Sequence, residues 1–159
     1  VLWTPSITYT ALLREAEQTA PRLGIRLSSY NVNTAAEFEA AIPETARNEN
    51  SGLVVFPTPT NAAHRDLIIA SAIRYRLPTI SPFRFFAVSG ALMSYGVYLP
   101  ELYRRSAGYV DRILKGGKPA DLPVQGPTKF ELIINLKTAK TLGITVPQSI
   151  LLRADEVVK

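Results

Sequence analysis

Three runs of sequence decide the fold: GALMSYG at residues 90–96, LPELYRRSAGYVDRILKGGKPADLPVQ at 99–125, and PTKFELIINLKTAKTLG at 127–143. The first run predicts a short apolar strand, the second an amphipathic helix, and the third a strand over 130–135 followed by more helix. A strand that leads into a helix and then returns as a strand is typical of a chain that leaves a domain and comes back. This order of strand, helix and strand therefore predicts a crossing segment within residues 99–125.

The helix of that crossing segment is expected over residues 100–114. Proline stands in its first turn, where no backbone donor is lost, and the run KGGKP at 115–119 ends it. Its apolar stripe consists of Leu102, Tyr103, Val110, Ile113 and Leu114. The opposite face carries Arg104, Arg105, Asp111, Arg112 and Lys115. The helix therefore has one face that needs an apolar partner and one that suits water.

Length and composition indicate one ordinary domain. The chain has 159 residues, of which 47% are hydrophobic and 19% charged, and it contains no run of about 18 apolar residues that could cross a bilayer. It begins at Val1, and its only methionine is Met93. We therefore expect a fragment whose true N-terminus is missing or was removed.

Cysteine content and charge narrow the possible functions. The absence of cysteine excludes disulfides, thiolate metal sites and a cysteine nucleophile. The net charge of +5 arises from Lys and Arg residues spread through the helices, with no basic cluster among aromatic residues. We therefore predict no nucleic-acid partner.

Upstream of the crossing segment, strands and helices alternate at short spacing. Strands are expected at 1–3, 25–32, 52–56 and 77–80, with helices at 6–23, from 34 onward and at 61–76. Such alternation predicts an α/β fold with a parallel, doubly wound sheet flanked by helices. Because GLVVF at 52–56 is apolar on both faces, it is expected in the middle of the sheet, buried on both sides. Ligands bind such sheets at the carboxyl ends of the strands, which selects the loops at 4–8, 57–61 and 81–86.

Local signals set the helix ends. Gly24 is expected to stop the first helix, and Thr34 with Glu37 forms a capping box at the start of the second. Pro43 predicts a kink or an early end of that second helix. The inward-facing residues are expected to be Leu12, Leu13, Ala16, Ala20 and Leu23 in the first helix, Phe38, Ala41 and Ile42 in the second, and Leu67, Ile68, Ser71, Ala72 and Tyr75 in the third.

The residues offer no catalytic, metal or cofactor site. His64 is the only histidine and follows a helix start, where a surface or capping role is the commoner one. No glycine-flanked nucleophile elbow is present, and the serines have no second histidine for a triad. The run at 116–118, GGK, follows a helix and lacks the spacing of a phosphate loop, so it is a helix stop. The carboxylates lie scattered on helix surfaces, without the pairing that acid and base roles require.

The runs quoted above resemble the C-terminal third of the solute-binding proteins of ABC importers, the tryptophan-binding-like family with a type 1 periplasmic-binding-protein fold. The resemblance implies two α/β lobes that close over a ligand. Residues 1–97 and 126–159 would then form the C-terminal ligand-binding lobe. Residues 98–125 would be a crossing helical segment that packs on an N-terminal lobe absent from this chain. Lacking that lobe, the helix is expected to fold onto its own lobe or to mediate a dimer.

The same resemblance implies the ligand-binding residues, which are Thr4, Ser6, Thr58, Thr60, Phe83, Arg84, Ser94 and Tyr95. The turn WTPS at 3–6 departs from the more usual Trp-Asn-Pro, and FPTPT at 56–60 lacks the Asp that commonly stands there. Arg84 suits a ligand carboxylate because its planar fork makes two parallel bonds, although a solvated Arg with its stem on Phe83 is an equal alternative. The Phe83 ring suits stacking on a planar ligand, although core packing is the commoner fate of such a residue.

The function implied is capture of a small molecule and its delivery to the importer's membrane permease, without catalysis. The small molecule would be an amino acid, with aromatic ones included, or a related carboxylate. The location implied is periplasmic or otherwise extracytoplasmic, with a lipid anchor as one option. Two alternatives stay open at this point. One is the effector-sensing domain of a transcription regulator, which uses the same two-lobed architecture, and the other is an enzyme on a flavodoxin-like fold.

Overall fold

A computed structural model describes residues 1–159. The strands are β1 Leu2–Trp3, β2 Tyr30–Asn31, β3 Leu53–Val54, β4 Thr79–Ser81, β5 Met93–Val97, β6 Phe130–Asn135 and β7 Glu156–Val158. The α-helices are α1 Ile7–Thr19, α2 Ala35–Ala46, α3 Pro59–Ala63, α4 Arg65–Arg74, α5 Arg84–Ser89, α6 Leu99–Leu114, α7 Leu136–Leu142 and α8 Gln148–Leu151. Single 3-10 turns lie at Ala20–Leu23 and Pro119–Asp121. No helix is both long enough and apolar enough to cross a bilayer.

The strands form one mostly parallel sheet in two parts. Strands β3 to β7 lie side by side in sequence order, and β1 pairs with β2. A single bridge between Leu2 and Val55 joins the parts, so the full order is β2-β1-β3-β4-β5-β6-β7. All pairs are parallel except β5 with β6, where the chain returns in the opposite direction. This arrangement confirms the predicted doubly wound α/β fold.

The core lies between the sheet and helices α2, α4 and α5. Its largest fully buried side chains include Phe38 of α2, Ile68 of α4 and Phe86 of α5. On β3, Leu53 and the following Val55 join this core, whereas Val54 points the other way and is exposed. The expectation that the 52–56 strand is buried on both sides is therefore wrong at Val54. Its position inside the sheet, between β1 and β4, is as expected.

Other differences from the sequence expectations are local. The strand expected over 25–32 shrinks to Tyr30–Asn31. The third helix is interrupted at His64, and its second part is α4. Ile69 of α4 is buried although it was not expected to be, whereas Tyr75, which was expected to face inward, is exposed. Helix α2 does not end at Pro43 but continues to Ala46. In the first helix Leu12 and Leu23 are exposed, and the 3-10 turn stops at Gly24 with φ of 68°.

The capping box at the start of α2 forms as predicted. The Thr34 hydroxyl accepts from the Glu37 backbone N–H at 3.4 Å, and the Glu37 carboxylate accepts from the backbone N–H groups of Thr34 and Asn33 at 3.0 and 2.6 Å. These bonds favour the ionised carboxylate and lower the pKa of Glu37 from its ordinary value of 4.5. The stabilisation by Glu37 is therefore complete above pH 4.5 and is lost as the pH falls through the lower pKa of the folded state.

Glu37→Gln is expected to remove that part of the acid sensitivity of the fold. Urea unfolding at pH 7 should show the variant to be less stable than the wild type, and the difference should shrink as the pH falls below 4.5 toward the lower pKa of the folded carboxylate. Glu39→Gln, which alters an exposed carboxylate of the same helix with no such bonds, serves as the control. A difference that stays constant with pH would show that Glu37 does not act through its charge.

Helix α6 lies away from the sheet, and none of its residues is buried. Tyr103 is 74% exposed and Leu114 is 82% exposed, so the apolar stripe predicted for this helix faces solvent except at the half-buried Leu102. Its polar contacts go to the returning chain: the Tyr109 hydroxyl donates to the Pro123 carbonyl at 2.6 Å, and Arg105 donates to Gln125 and to Thr128. The helix does not fold back onto the lobe, which was one of the two expectations for it.

The 159-residue chain on its own is expected to associate through α6. Four large apolar side chains of the stripe, Tyr103, Val110, Ile113 and Leu114, are exposed. Left in water they forfeit on the order of 5 to 10 kcal/mol, at about 1.5 to 2 kcal/mol each. Sedimentation should give about twice the 17.5 kDa of one chain. Leu114→Glu should restore the monomer, whereas Arg112→Glu on the polar face should not. A wild-type monomer at all concentrations would refute the association.

Candidate ligand-binding edge and the exit pocket

Three loops meet at the carboxyl edge of the parallel strands. They follow β1 at residues 4–6, β3 at residues 55–58 and β4 at residues 82–83. Strands β1 and β3 are neighbours that lead to connections on opposite sides of the sheet, and this is the switch point where doubly wound sheets leave a crevice. The loops selected from the sequence therefore lie at one edge. Each ends earlier than the expected 4–8, 57–61 and 81–86, because α1 begins at Ile7, α3 at Pro59 and α5 at Arg84.

Asn61 holds the first two strand ends together. Its buried carboxamide nitrogen donates to the carbonyls of Leu2 and Phe56, at 3.1 and 2.9 Å, and so bridges the ends of β1 and β3. The Tyr9 hydroxyl of α1 donates to the Pro57 carbonyl at 2.5 Å. These bonds fix the loop positions before any ligand arrives. Asn61 was not predicted as a functional residue, because its partners are set only by the fold.

Three hydroxyl residues of the predicted site, Thr4, Ser6 and Thr58, make hydrogen bonds within the loops themselves. Thr4 donates to the Val32 carbonyl at 3.1 Å, and Ser6 caps α1 by accepting from the Tyr9 N–H at 3.1 Å. Thr58 is fully buried and caps α3 through the Asn61 N–H at 3.0 Å. Thr60 follows in the first turn of α3 and is half-buried. All four lie at the carboxyl edge, at the ends of β1 and β3.

Ser94 and Tyr95 are adjacent in β5 and therefore point to opposite faces of the sheet. Ser94 is 1% exposed, lies beside Ser81 at the end of β4, and its hydroxyl has no hydrogen-bond partner. Tyr95 is exposed and stacks on Phe130 of β6, with ring centroids 6.0 Å apart. The two side chains cannot line the same pocket.

Phe83 and Arg84 lie where α5 begins, and both are engaged. The Phe83 ring stacks on Phe85 with centroids 5.0 Å apart. Arg84 Nη1 is 2.6 Å from the Glu156 carboxylate and 3.9 Å from that of Glu131. Bonding to Glu156, with a further contribution from the Glu131 charge, raises the pKa of Arg84 above its ordinary value. The guanidinium is thus paired with carboxylates of β6 and β7.

A concavity of about 330 Å³ lies beside this ion pair, and we call it the exit pocket because the chain leaves the sheet there for α6. Its lining residues are Pro82, Phe83, Arg84, Phe85, Val88, Val97, Leu99, Pro100 and Glu131. A second concavity, of about 310 Å³, is lined mainly by residues 24–28 and 48–52, at the opposite edge of the sheet. The exit pocket is the one that contains predicted site residues, Phe83 and Arg84.

Glu131 was also missed by the sequence reasoning. A charged residue within the apolar run FELIIN was the available signal, since a strand paired on both sides seldom buries a carboxylate without a role. His64, by contrast, is half-buried over Phe38 and its Nδ1 lies 3.0 Å from the Thr60 carbonyl. No cluster of His, Cys, Asp or Glu side chains has the geometry to hold a metal ion.

The family model of ABC transporter substrate-binding proteins matches residues 1–158. The chain belongs to this family. The resemblance predicted from the sequence is thereby confirmed, and membership agrees with the prediction of a ligand-binding protein and not of an enzyme. No curated protein matches the chain.

Solved structures show the same architecture. A conserved domain protein from Vibrio cholerae O1 biovar eltor is 26% identical, with a TM-score of 0.88 over 98% of this chain and 53% of its own. The ABC domain in complex with L-Trp from Streptococcus pneumonia is 23% identical, with a TM-score of 0.87 over 99% and 53%. A ligand-free, open substrate-binding protein with adhesive properties from Clostridium difficile is 18% identical, with a TM-score of 0.72 over 99% and 53%. The chain thus spans about half the length of each.

The shape of the third loop depends on Gly96, and this can be tested by substitution. A Cβ at Gly96 would lie 2.0 Å from the Pro82 carbonyl oxygen, so Gly96→Ala must displace the loop or strand β5. We expect a loss of about 1 to 3 kcal/mol in the free energy of unfolding, measured with urea. Gly108→Ala in α6, where a Cβ meets nothing within 4 Å, should be neutral or slightly stabilising. Equal stability of the two variants would show that the contact does not constrain the loop.

Proposed function

We propose that this chain forms the C-terminal lobe of the solute-binding component of an ABC importer, capturing a small molecule between its carboxyl edge and a facing lobe. The observation that carries the proposal is the position of the crossing segment. Strands β5 and β6 pair antiparallel, with Val97 opposite Phe130, so α6 leaves and re-enters at the edge where the three loops lie. A second lobe attached there would face the loops.

The proposed division of the chain follows from that position. Residues 1–97 and 126–159 form the lobe, and residues 98–125 cross to the facing lobe. Packing of the exposed stripe of α6 on that lobe would supply the apolar contact that the helix lacks here. The family match supports this reading over the effector-sensing alternative.

Capture would proceed by lobe closure. A ligand that makes contacts to both lobes only in the closed form shifts the population from open to closed. We propose that it meets Thr4, Ser6, Thr60, Phe83 and Arg84 on this lobe, while the buried Thr58 and Ser94 support the edge behind them. Tyr95, which points to the face opposite Ser94, is left out of this pocket. The loops around Asn61 are fixed beforehand, which reduces the ordering cost of binding.

We propose an amino acid, aromatic ones included, or a related carboxylate as the solute. The relative from Streptococcus pneumonia, which was solved with L-Trp, supports that choice. Substrate-binding proteins of ABC transporters act outside the cytoplasm and deliver to a membrane permease. We propose the same for this protein: a location outside the cytoplasm, either free in the periplasm or held by a lipid anchor, and a membrane permease as partner.

Calorimetric titration of the complete protein with the twenty amino acids tests the proposal. We expect saturable heat with at least one of them and a much weaker response, or none, from the 159-residue chain, which supplies one wall of the crevice. Heat with none would refute the amino-acid assignment.

Thr60→Ala is expected to weaken binding of the ligand so identified by about 3- to 10-fold, the usual worth of one hydrogen bond. Thr141→Ala in α7, at the far edge of the sheet, removes the same hydroxyl from a helix and should leave the affinity unchanged. Equal effects of the two substitutions would remove Thr60 from the site.

A further inference from the structure

The exit pocket has an apolar wall and a single pair of charged residues. Seven of its nine lining residues are Pro, Phe, Val or Leu, and the other two are Arg84 and Glu131. Its volume of about 330 Å³ is at the lower end of the range for small-molecule sites. The stacked rings of Phe83 and Phe85 form part of the wall. The pocket therefore suits a small, largely apolar body that carries a polar group.

The charged groups at the pocket wall are paired unequally. Arg84 is one guanidinium facing two carboxylates, Glu156 at 2.6 Å and Glu131 at 3.9 Å. Two further cations lie near the pocket without lining it: Arg65, paired with Asp66 and 5.9 Å from the Phe85 ring centroid, and Lys129, 4.3 Å from the Tyr98 ring centroid. It is Glu156, not Glu131, that holds the close contact with Arg84.

Glu131 is the carboxylate that faces the pocket without a hydrogen bond from the protein. It is 9% exposed, it lines the pocket, and its carboxylate accepts no hydrogen bond within the protein. Its oxygens therefore take their donors from solvent or from a bound group in the pocket, and a donor with a positive charge makes the stronger bond to a carboxylate. Among ligand groups, a primary ammonium fits best, because it supplies three donors and is attracted to the faces of nearby aromatic rings.

We infer that the exit pocket binds the ammonium group of the solute, with Glu131 as its acceptor and the Phe83 and Phe85 rings against the solute's apolar part. The inference rests on the proposed function, since it assigns a recognition role within the same solute site. It also changes the role expected for Arg84. Held by Glu156, Arg84 is a positioning residue that keeps Glu131 at the pocket wall, and it is not the primary partner of a ligand carboxylate.

The test compares matched ligands that differ only in the amine. The complete wild-type protein is titrated with L-tryptophan against indole-3-propionate, L-phenylalanine against 3-phenylpropionate, and L-leucine against 4-methylpentanoate. At least one amine-bearing member should bind at least tenfold more tightly than its partner. If every acid lacking the amine binds as tightly as its partner, or if no amine-bearing member binds, the inference is overturned. Binding of the acids alone would leave the proposed capture of a small carboxylate intact.

Glu131→Gln tests whether Glu131 is the acceptor of the ligand ammonium. It should weaken binding of the amine-bearing ligand by about 10- to 100-fold and leave the matched acid unaffected, while Glu44→Gln, an exposed carboxylate on α2, should change neither. Unchanged amine binding in Glu131→Gln would overturn the assignment of the acceptor. Melting temperatures confirm that the variants are folded, and if Glu131→Gln does not fold, the wild-type comparison of matched ligands decides the question.

Discussion

The antiparallel pairing of β5 with β6 is the constraint on which the rest of the structure depends. Five residue pairs, from Met93 opposite Ile134 to Val97 opposite Phe130, bring the returning chain back beside the strand it left. This ladder places α6 at the carboxyl edge of the parallel strands and extends the sheet to β7. It also brings Glu131 beside the start of α5. Without it, the crossing segment would have no fixed relation to the loops.

The loops at that edge are shaped by hydrogen bonds within this chain. Asn61 joins the ends of β1 and β3, and the backbone of Pro82 lies so close to Gly96 that no larger residue fits. The hydroxyls of Thr4, Ser6 and Thr58 contribute to the same loop geometry. Such an edge is suited to a ligand that meets prearranged groups, and this limits how far the loops need to move when a facing lobe closes.

Local signals predicted the parts of the fold that local chemistry controls. The capping box of Thr34 and Glu37, the stop at Gly24, the amphipathic α6 and strand β6 all follow from spacings within about one element. The errors arise where tertiary surroundings decide. Val54 is apolar yet exposed, because the sheet is covered less on that face. Strand β2 is short although Ile25, Tyr30 and Val32 favour a strand.

The location of the candidate site could be predicted from the sequence, but the contacts of its side chains could not. Doubly wound sheets bind at the carboxyl edge whatever their sequence, so the loops could be selected from the order of strands and helices. The partners of Arg84 come from β6 and β7, 47 and 72 residues further along the chain, and no spacing rule connects them. Asn61 and Glu131 were missed for the same reason, because the groups that surround each of them come from distant parts of the chain and are brought near only by the fold.

Helix α6 also has a mechanical consequence. Its 16 residues span about 24 Å at 1.5 Å per residue, and the helix is anchored only near its base and along the returning chain. A rotation of the helix by about 10° where it joins β5 would therefore move its far end by about 4 Å. Changes of an ångström or less at the sheet edge would thus be magnified at the tip, far from any atom that touches a solute.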